Sequence, residues 1–293
     1  MGHTTRCVSL IRQFIQNSNS VIFAGNDRQI SFMQREFPQI QVESIGGYDV
    51  RLDSRKNTYM QVINQSAKIK RAIKNEYDWV TEFIRKNSVD VVVSDNRYGF
   101  RHDHITSIML THQLNLQIPA FSKTASGYLQ RYINQFDYCW VPDSKENPLC
   151  GKLTDAKLKV PILHIGWLCR FSKLDRPKKY DRLAIVSGPE PERSLFVDEI
   201  REYLKRQGGS SAMVGTTVNG KYENIDCFLN PSTLEMERLV AESEVIISRA
   251  GYTTIMELLA LEKQALLIPT KGQFEQEYLS KTIKNGYLTF GAL

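Results

Sequence analysis

The stretch Ser248–Glu257 reads Ser-Arg-Ala-Gly-Tyr-Thr-Thr-Ile-Met-Glu and concentrates groups suited to a phosphorylated ligand. Gly251 stands at a corner, Thr253 and Thr254 add adjacent hydroxyls, and Glu257 follows one helical turn later. If a helix starts at that corner, its first N–H groups are unpaired and its dipole is positive there, the geometry that binds phosphate or diphosphate. Glu257 is then spaced to accept hydrogen bonds from ribose hydroxyls. Gly251 is expected at positive φ, which a β-branched residue tolerates poorly. The plainer alternative makes Gly251 a simple turn and Glu257 a solvated helix residue.

The flanking sequence supplies the elements such a site needs. Glu244–Ile247 ends in a β-branched run typical of a buried parallel strand, and Ile255, Leu258, Leu259 and Leu261 recur at helical spacing. Gln264–Ile268 is a second apolar strand, stopped by Pro269 and followed by the polar loop and helix start Thr270–Tyr278. Ligands of open α/β sheets bind at the carboxyl ends of strands, so the two loops predict one wall of a crevice. Earlier in the chain, Ser20–Ala24, Asp27–Phe37 and Ile40–Ile45 give a strand-helix-strand rhythm. Asn57–Asn87 predicts a long amphipathic helix or a broken pair, with Lys68, Lys70, Arg71 and Lys74 clustered at its middle. That cluster is either a solvated face or a patch for anionic lipid headgroups. Asp90–Ser94 is an apolar strand that places Asp95 at its carboxyl end, and Ser107–Leu110 is another. Near the end, Phe274–Asn285 is the last clear helix.

The 293-residue chain suggests two domains, read as residues 1–168, a polar linker at 169–181 and residues 182–293. Five scattered cysteines without metal spacing argue for reduced thiols in a cytoplasm. The net charge of +6 suits anionic substrates or an anionic membrane surface, and no recognition module supports nucleic acid. No metal or other cofactor is expected, because no Asp-x-Asp ends a strand.

These two C-terminal loops resemble those of glycosyltransferases with the GT-B fold, in particular the family 28 group that includes the lipid II N-acetylglucosaminyltransferase. That group carries Ser-Arg-Ser-Gly-Ala-x-Thr-x-x-Glu, then Pro, then a Gln-Gln pair. Ser248, Arg249, Gly251, Thr254 and Glu257 fit the first part, and Pro269 and Gln276 fit the second. Tyr252 replaces a small residue, and Glu277 stands where the second Gln belongs. The resemblance implies an α/β fold of two Rossmann-like doubly wound domains facing a cleft. It places Ser187, Gly188 and Arg193 at the donor diphosphate, Gln276 and Glu277 near the donor sugar, and Gln273 among the donor-binding residues. His112-Gln113 is loosely similar to a His-Glu-Gln triplet on the acceptor side.

Gly2-His3-Thr4-Thr5-Arg6 resembles the tail of the Gly-rich loop after the first strand of such enzymes. Gly2, Thr4 and Arg6 then belong to the acceptor side. The first strand of the N-terminal domain is missing, so the expectation is an internal start with a short apolar strand upstream. The implied reaction moves a sugar, with N-acetylglucosamine a candidate, from a UDP-sugar to a glycan or lipid-linked acceptor. It is expected to invert and to need no metal, at the inner face of a membrane or free in the cytoplasm. His3 is the first candidate base, since imidazole exchanges protons near neutral pH, and Asp95 the second. Gly2-His3-x-x-Arg6-Cys7 also resembles nucleotide-sugar hydrolases, and a non-catalytic nucleotide-sugar binder is a third reading.

Overall fold

Apolar periodicity and local caps account for most elements in the structure, a computed structural model that describes residues 2–47, 66–116 and 122–293. The chain divides into two compact units, Ile11–Trp167 and Met1–Leu10 with Leu168–Leu293. Helix α1 (Gly2–Gln16) contributes to both. The expected boundaries are therefore corrected in two places. Residues 1–10 group with the C-terminal unit. The start of the expected linker is packed there too: Phe171 is buried, and just before the linker the Leu168 N–H points at Met256 Sδ, 3.1 Å away, while residues 172–179 are exposed.

In the first unit, β1 (Ile22–Gly25) leads into α2 (Asp27–Glu36). The Asn26 side chain accepts from Gln29 N–H while Gln29 answers the Asn26 N–H, a reciprocal cap that fixes the helix start. Strand β2 (Gln41–Ser44) runs parallel to β1. Helix α3 (Ser66–Lys86) covers the described part of the predicted long helix, whose expected residues 57–65 lie outside the described residues. Then come β3 (Val91–Asp95), β4 (Thr106–Leu110), α4 (Ser122–Ile133), β5 (Tyr138–Val141) and β6 (Ile162–His164). Strands β3 to β6 pair in sequence order, all parallel, over a core of Met109, Leu114, Ile133, Cys139 and Val141. Among the described residues the strands of this unit form two hydrogen-bonded sets, β1–β2 and β3–β4–β5–β6.

The second unit contains β7 (Tyr180–Ile185), α5 (Glu192–Gln207), β8 (Ser211–Val214), β9 (Gly220–Tyr222) and β10 (Ile225–Phe228). Helix α6 (Thr233–Ala241) starts with a Ser232–Glu235 capping box. Strand β11 (Ser243–Arg249), α7 (Tyr252–Ala260), β12 (Gln264–Ile268), α8 (Phe274–Thr282) and β13 (Leu288–Phe290) complete it. The sheet order is β13-β12-β11-β7-β8-β10-β9, parallel except for the hairpin strand β9. Leaving out β9, this is the doubly wound order, with its switch point between β7 and β11. Phe196, Ile200 and Leu204 of α5 pack on Ala184, Met213 and Ile247. Strands β9 and β10 form a hairpin turned at Glu223, which adopts φ 54°. Strand β13, absent from the sequence reading, extends the sheet beside β12.

Candidate functional site

Two loops leave the sheet of the second unit on either side of its switch point. Ser187-Gly188 follows β7, and Ala250-Gly251 follows β11; the strands pair with Ile185 opposite Ser248. Gly251 is the N-cap of α7 and no side chain caps that helix. Its backbone is extended, at φ −75° and ψ 141°, which corrects the expected positive φ. A Cβ built on Gly251 meets no atom within 4 Å, so neither conformation nor packing within the described chain calls for glycine there. Gly188 differs in one respect. Its φ of +124° is one that L side chains rarely adopt, while the space around its Cβ position is also open. The switch point thus carries two bare backbone corners beside the positive end of a helix.

The first turn of α1 lies against this helix end. Thr253 Oγ1 is 3.3 Å from Gly2 O and donates to it. Gly2-His3 is therefore the helix start itself rather than the end of a loop, because Thr5 Oγ1 also donates back to Gly2 O and closes the turn. His3 is exposed. Thr4 and Arg6 are buried, Arg6 completely, so both sit in the interior and not on an acceptor-facing surface.

Several expected ligand contacts are occupied by the protein. Ser248 is fully buried and donates to Ile185 O across the β7–β11 pair. Tyr252 is also buried. The Arg249 guanidinium lies 3.7 Å from the Phe196 ring centre and 3.8 Å from Glu199 Oε2, tying β11 to α5; burial lowers its pKa, opposed by Glu199. Arg193 donates to Gly215 O at 2.5 Å and so clamps the first turn of α5, where the β7 loop ends, to the β8 loop. The Gln276 amide oxygen accepts from Thr270 N–H, its amide nitrogen donates to Gln273, and Glu277 accepts from Gly272 N–H. These three residues shape the β12 loop from within, and Glu277 fulfils that role where the family pattern has glutamine.

Glu257 is buried and faces a residue that the sequence reading placed in the linker. Arg170 Nε lies 3.0 Å from Glu257 Oε1, with the guanidinium stacked on the Phe171 ring. Burial raises the Glu257 pKa, and Arg170 opposes that rise. The only sequence signal for Arg170 was its place in a basic, apolar-poor run, which looks solvated until the chain folds back onto α7. In the first unit, Asp95 ends β3, and the loop behind it is held by Arg97 Nε, 2.8 Å from buried Glu76. His112 is buried just after β4, and Gln113 N–H bonds Thr111 Oγ1. Asp95, His112 and Gln113 thus belong to the first unit, and His3 and the donor-side residues to the second.

Residues 200–285 match the model of the glycosyltransferase family 28 C-terminal domain. Among solved structures, a glycosyltransferase of kitacinnamycin is 14% identical with a TM-score of 0.64, covering 100% of this chain and 83% of that one. The spinosyn rhamnosyltransferase SpnG, solved with thymidine diphosphate, is 12% identical with a TM-score of 0.61, at 96% and 81% coverage. MurG of Acinetobacter baumannii is 14% identical with a TM-score of 0.52, at 99% and 82% coverage. No curated protein matches the chain. The resemblance to GT-B glycosyltransferases and the mixed α/β GT-B fold are shown by these matches.

Proposed function

We propose that the protein is a glycosyltransferase that moves a sugar from a UDP-sugar to a glycan or lipid-linked acceptor. One observation carries this reading: Gly251 and Gly188 leave bare, open corners on the two loops of the switch point, next to the uncapped start of α7. A diphosphate there accepts hydrogen bonds from backbone N–H groups, and the helix dipole offsets the charge that builds on it as the sugar leaves. Thr254 adds a hydroxyl donor. Arg193 and Arg249 act as braces for the two loops, because both guanidinium groups are already engaged.

His3 is the proposed base that takes the acceptor proton, since it is exposed on the helix turn whose Gly2 contacts Thr253. Asp95 is the alternative base. Inversion follows from a single displacement at the sugar carbon. The choice of uridine rests on the family 28 resemblance, and thymidine diphosphate in the related rhamnosyltransferase fits the same diphosphate chemistry. Among the described residues no helix is long and apolar enough to cross a membrane. Peripheral action at the inner membrane face therefore rests on the lipid-linked acceptor and the basic charge.

The test is thermal stability with UDP, against GDP, CMP and TDP. A nucleotide at about 100 times its dissociation constant stabilises by about 2.7 kcal/mol. A UDP-selective rise of several degrees is expected, and with a UDP-sugar in place of UDP, sugar release that depends on an acceptor. No shift with any nucleotide overturns the reading, and release into water alone turns it into a hydrolase.

A further inference from the structure

Within the first unit, a cavity of about 610 Å³ opens where β5 and β6 end. Its walls come from the loop after β5 (Ser144, Lys145, Glu146), from Thr154 and Asp155, and from His164 at the end of β6. Ala156, Ile162 and Leu163 supply an apolar floor, and Leu163 is 45% exposed although it lies on a sheet strand. The size falls in the usual range for small-molecule sites. The wall is pre-shaped. Asp143, fully buried at the end of β5, accepts from the N–H groups of Ser144, Leu149 and Cys150 and from the Trp167 indole.

The lining selects a ligand class. Lys145 and His164 share the lining with Glu146 and Asp155, so a phosphate or sulfate entering here also meets two carboxylates. Glu146 stays ionised, because its own backbone N–H and the Ser144 hydroxyl hold its carboxyl below the usual range. Among the described residues no three-ligand metal cluster exists. What remains is a ligand with several hydroxyls, to share among carboxylates, hydroxyls and imidazole, and an apolar face to lay on Leu163. A pyranose ring has both.

We propose that this cavity binds a neutral sugar unit of the acceptor, away from the reacting hydroxyl, so that the acceptor is a glycan of more than one sugar. This rests on the glycosyltransferase reading. Strands β3, β4, β5 and β6 are adjacent and parallel, so Asp95 and His164 end on the same rim. Three strand spacings separate them, about 14 Å. A linear glycan laid along that rim reaches from the one to the other.

The experiment is saturation-transfer NMR and calorimetry with methyl β-D-glucopyranoside, N-acetylglucosamine and its β-1,4 dimer, with inorganic phosphate as the anionic control. Wild-type protein is expected to bind a sugar at millimolar concentration and phosphate not at all. Asp155→Asn with His164→Ala, both at exposed positions, is expected to weaken the sugar at least tenfold. Leu163→Gln tests the floor independently and is expected to do the same. In all variants the UDP-dependent thermal shift stays at its wild-type value. Sugar binding that is absent, or unchanged in every variant, or replaced by phosphate binding overturns the inference. Failure of the donor reading is separately visible as loss of the UDP shift in wild-type protein.

Discussion

Adding one methyl group at Gly251 separates a ligand-driven glycine from a chain-driven one. Two small terms of opposite sign govern its effect on stability. Alanine reduces unfolded-state freedom, which stabilises by about 0.4–1 kcal/mol where the native φ is compatible, as −75° is. Alanine is a poorer N-cap than glycine, which costs about 0.5–1 kcal/mol. No atom lies within 4 Å of the new Cβ, so no packing strain is added. Gly251→Ala is therefore expected to change Tm by less than about 4 °C. Nucleotide binding behaves differently. If the diphosphate accepts from the backbone at this corner, the methyl displaces it and removes a charge-assisted hydrogen bond of about 2 kcal/mol, roughly 30-fold in affinity. At a UDP concentration 100 times the wild-type dissociation constant, stabilisation falls from about 2.7 to about 0.9 kcal/mol. Differential scanning fluorimetry with a UDP titration reads both quantities. Gly127→Ala, inside α4 with open space around it, is the control for adding a methyl group far from the site. A UDP shift in Gly251→Ala equal to wild type would refute the cradle, since the corner would then be open for no ligand.

Four further outcomes follow. His3→Ala should lower turnover at least a hundredfold while leaving the UDP shift intact; equal losses in both would make His3 a binding residue instead. Arg170→Met leaves Glu257 buried without its counter-charge and should cost about 3 kcal/mol in urea unfolding. Because the folded pKa of Glu257 lies above its ordinary 4.5, the folded state holds its proton longer, and stability falls as pH rises through that window. Removing Arg170 lifts the pKa further, so unfolding profiles from pH 4.5 to 8 should slope down more steeply in Arg170→Met, and a parallel profile would refute the linkage. Gly99→Ala puts a Cβ 1.9 Å from Ile73 O, so it should destabilise by about 1–3 kcal/mol and lower Tm measurably even without ligand.

The sequence by itself determined the β11–α7–β12 segment of the C-terminal unit and the place of its cradle. β-branched runs such as Val245–Ile247, helical spacing in Ile255–Leu261 and the corner glycine between them are local signals, and a strand-turn-helix is a local object. The family pattern added the loop after β12. Local pattern did not reveal which polar side chains the fold consumes. Ser248, Arg193, Arg249, Gln276 and Glu277 all have ligand-binding chemistry, yet each meets a protein partner supplied by another strand, helix or loop position. Arg170 shows the same limit from the other side. Its run reads as solvated linker, and only the packing of 168–171 against α7 brings it to Glu257. The cavity beside His164 likewise depends on three segments spread over residues 144–166. Spacing along a chain fixes which groups share an element. Which groups remain free for a ligand depends on partners distant in sequence, and that was decided by the tertiary structure alone.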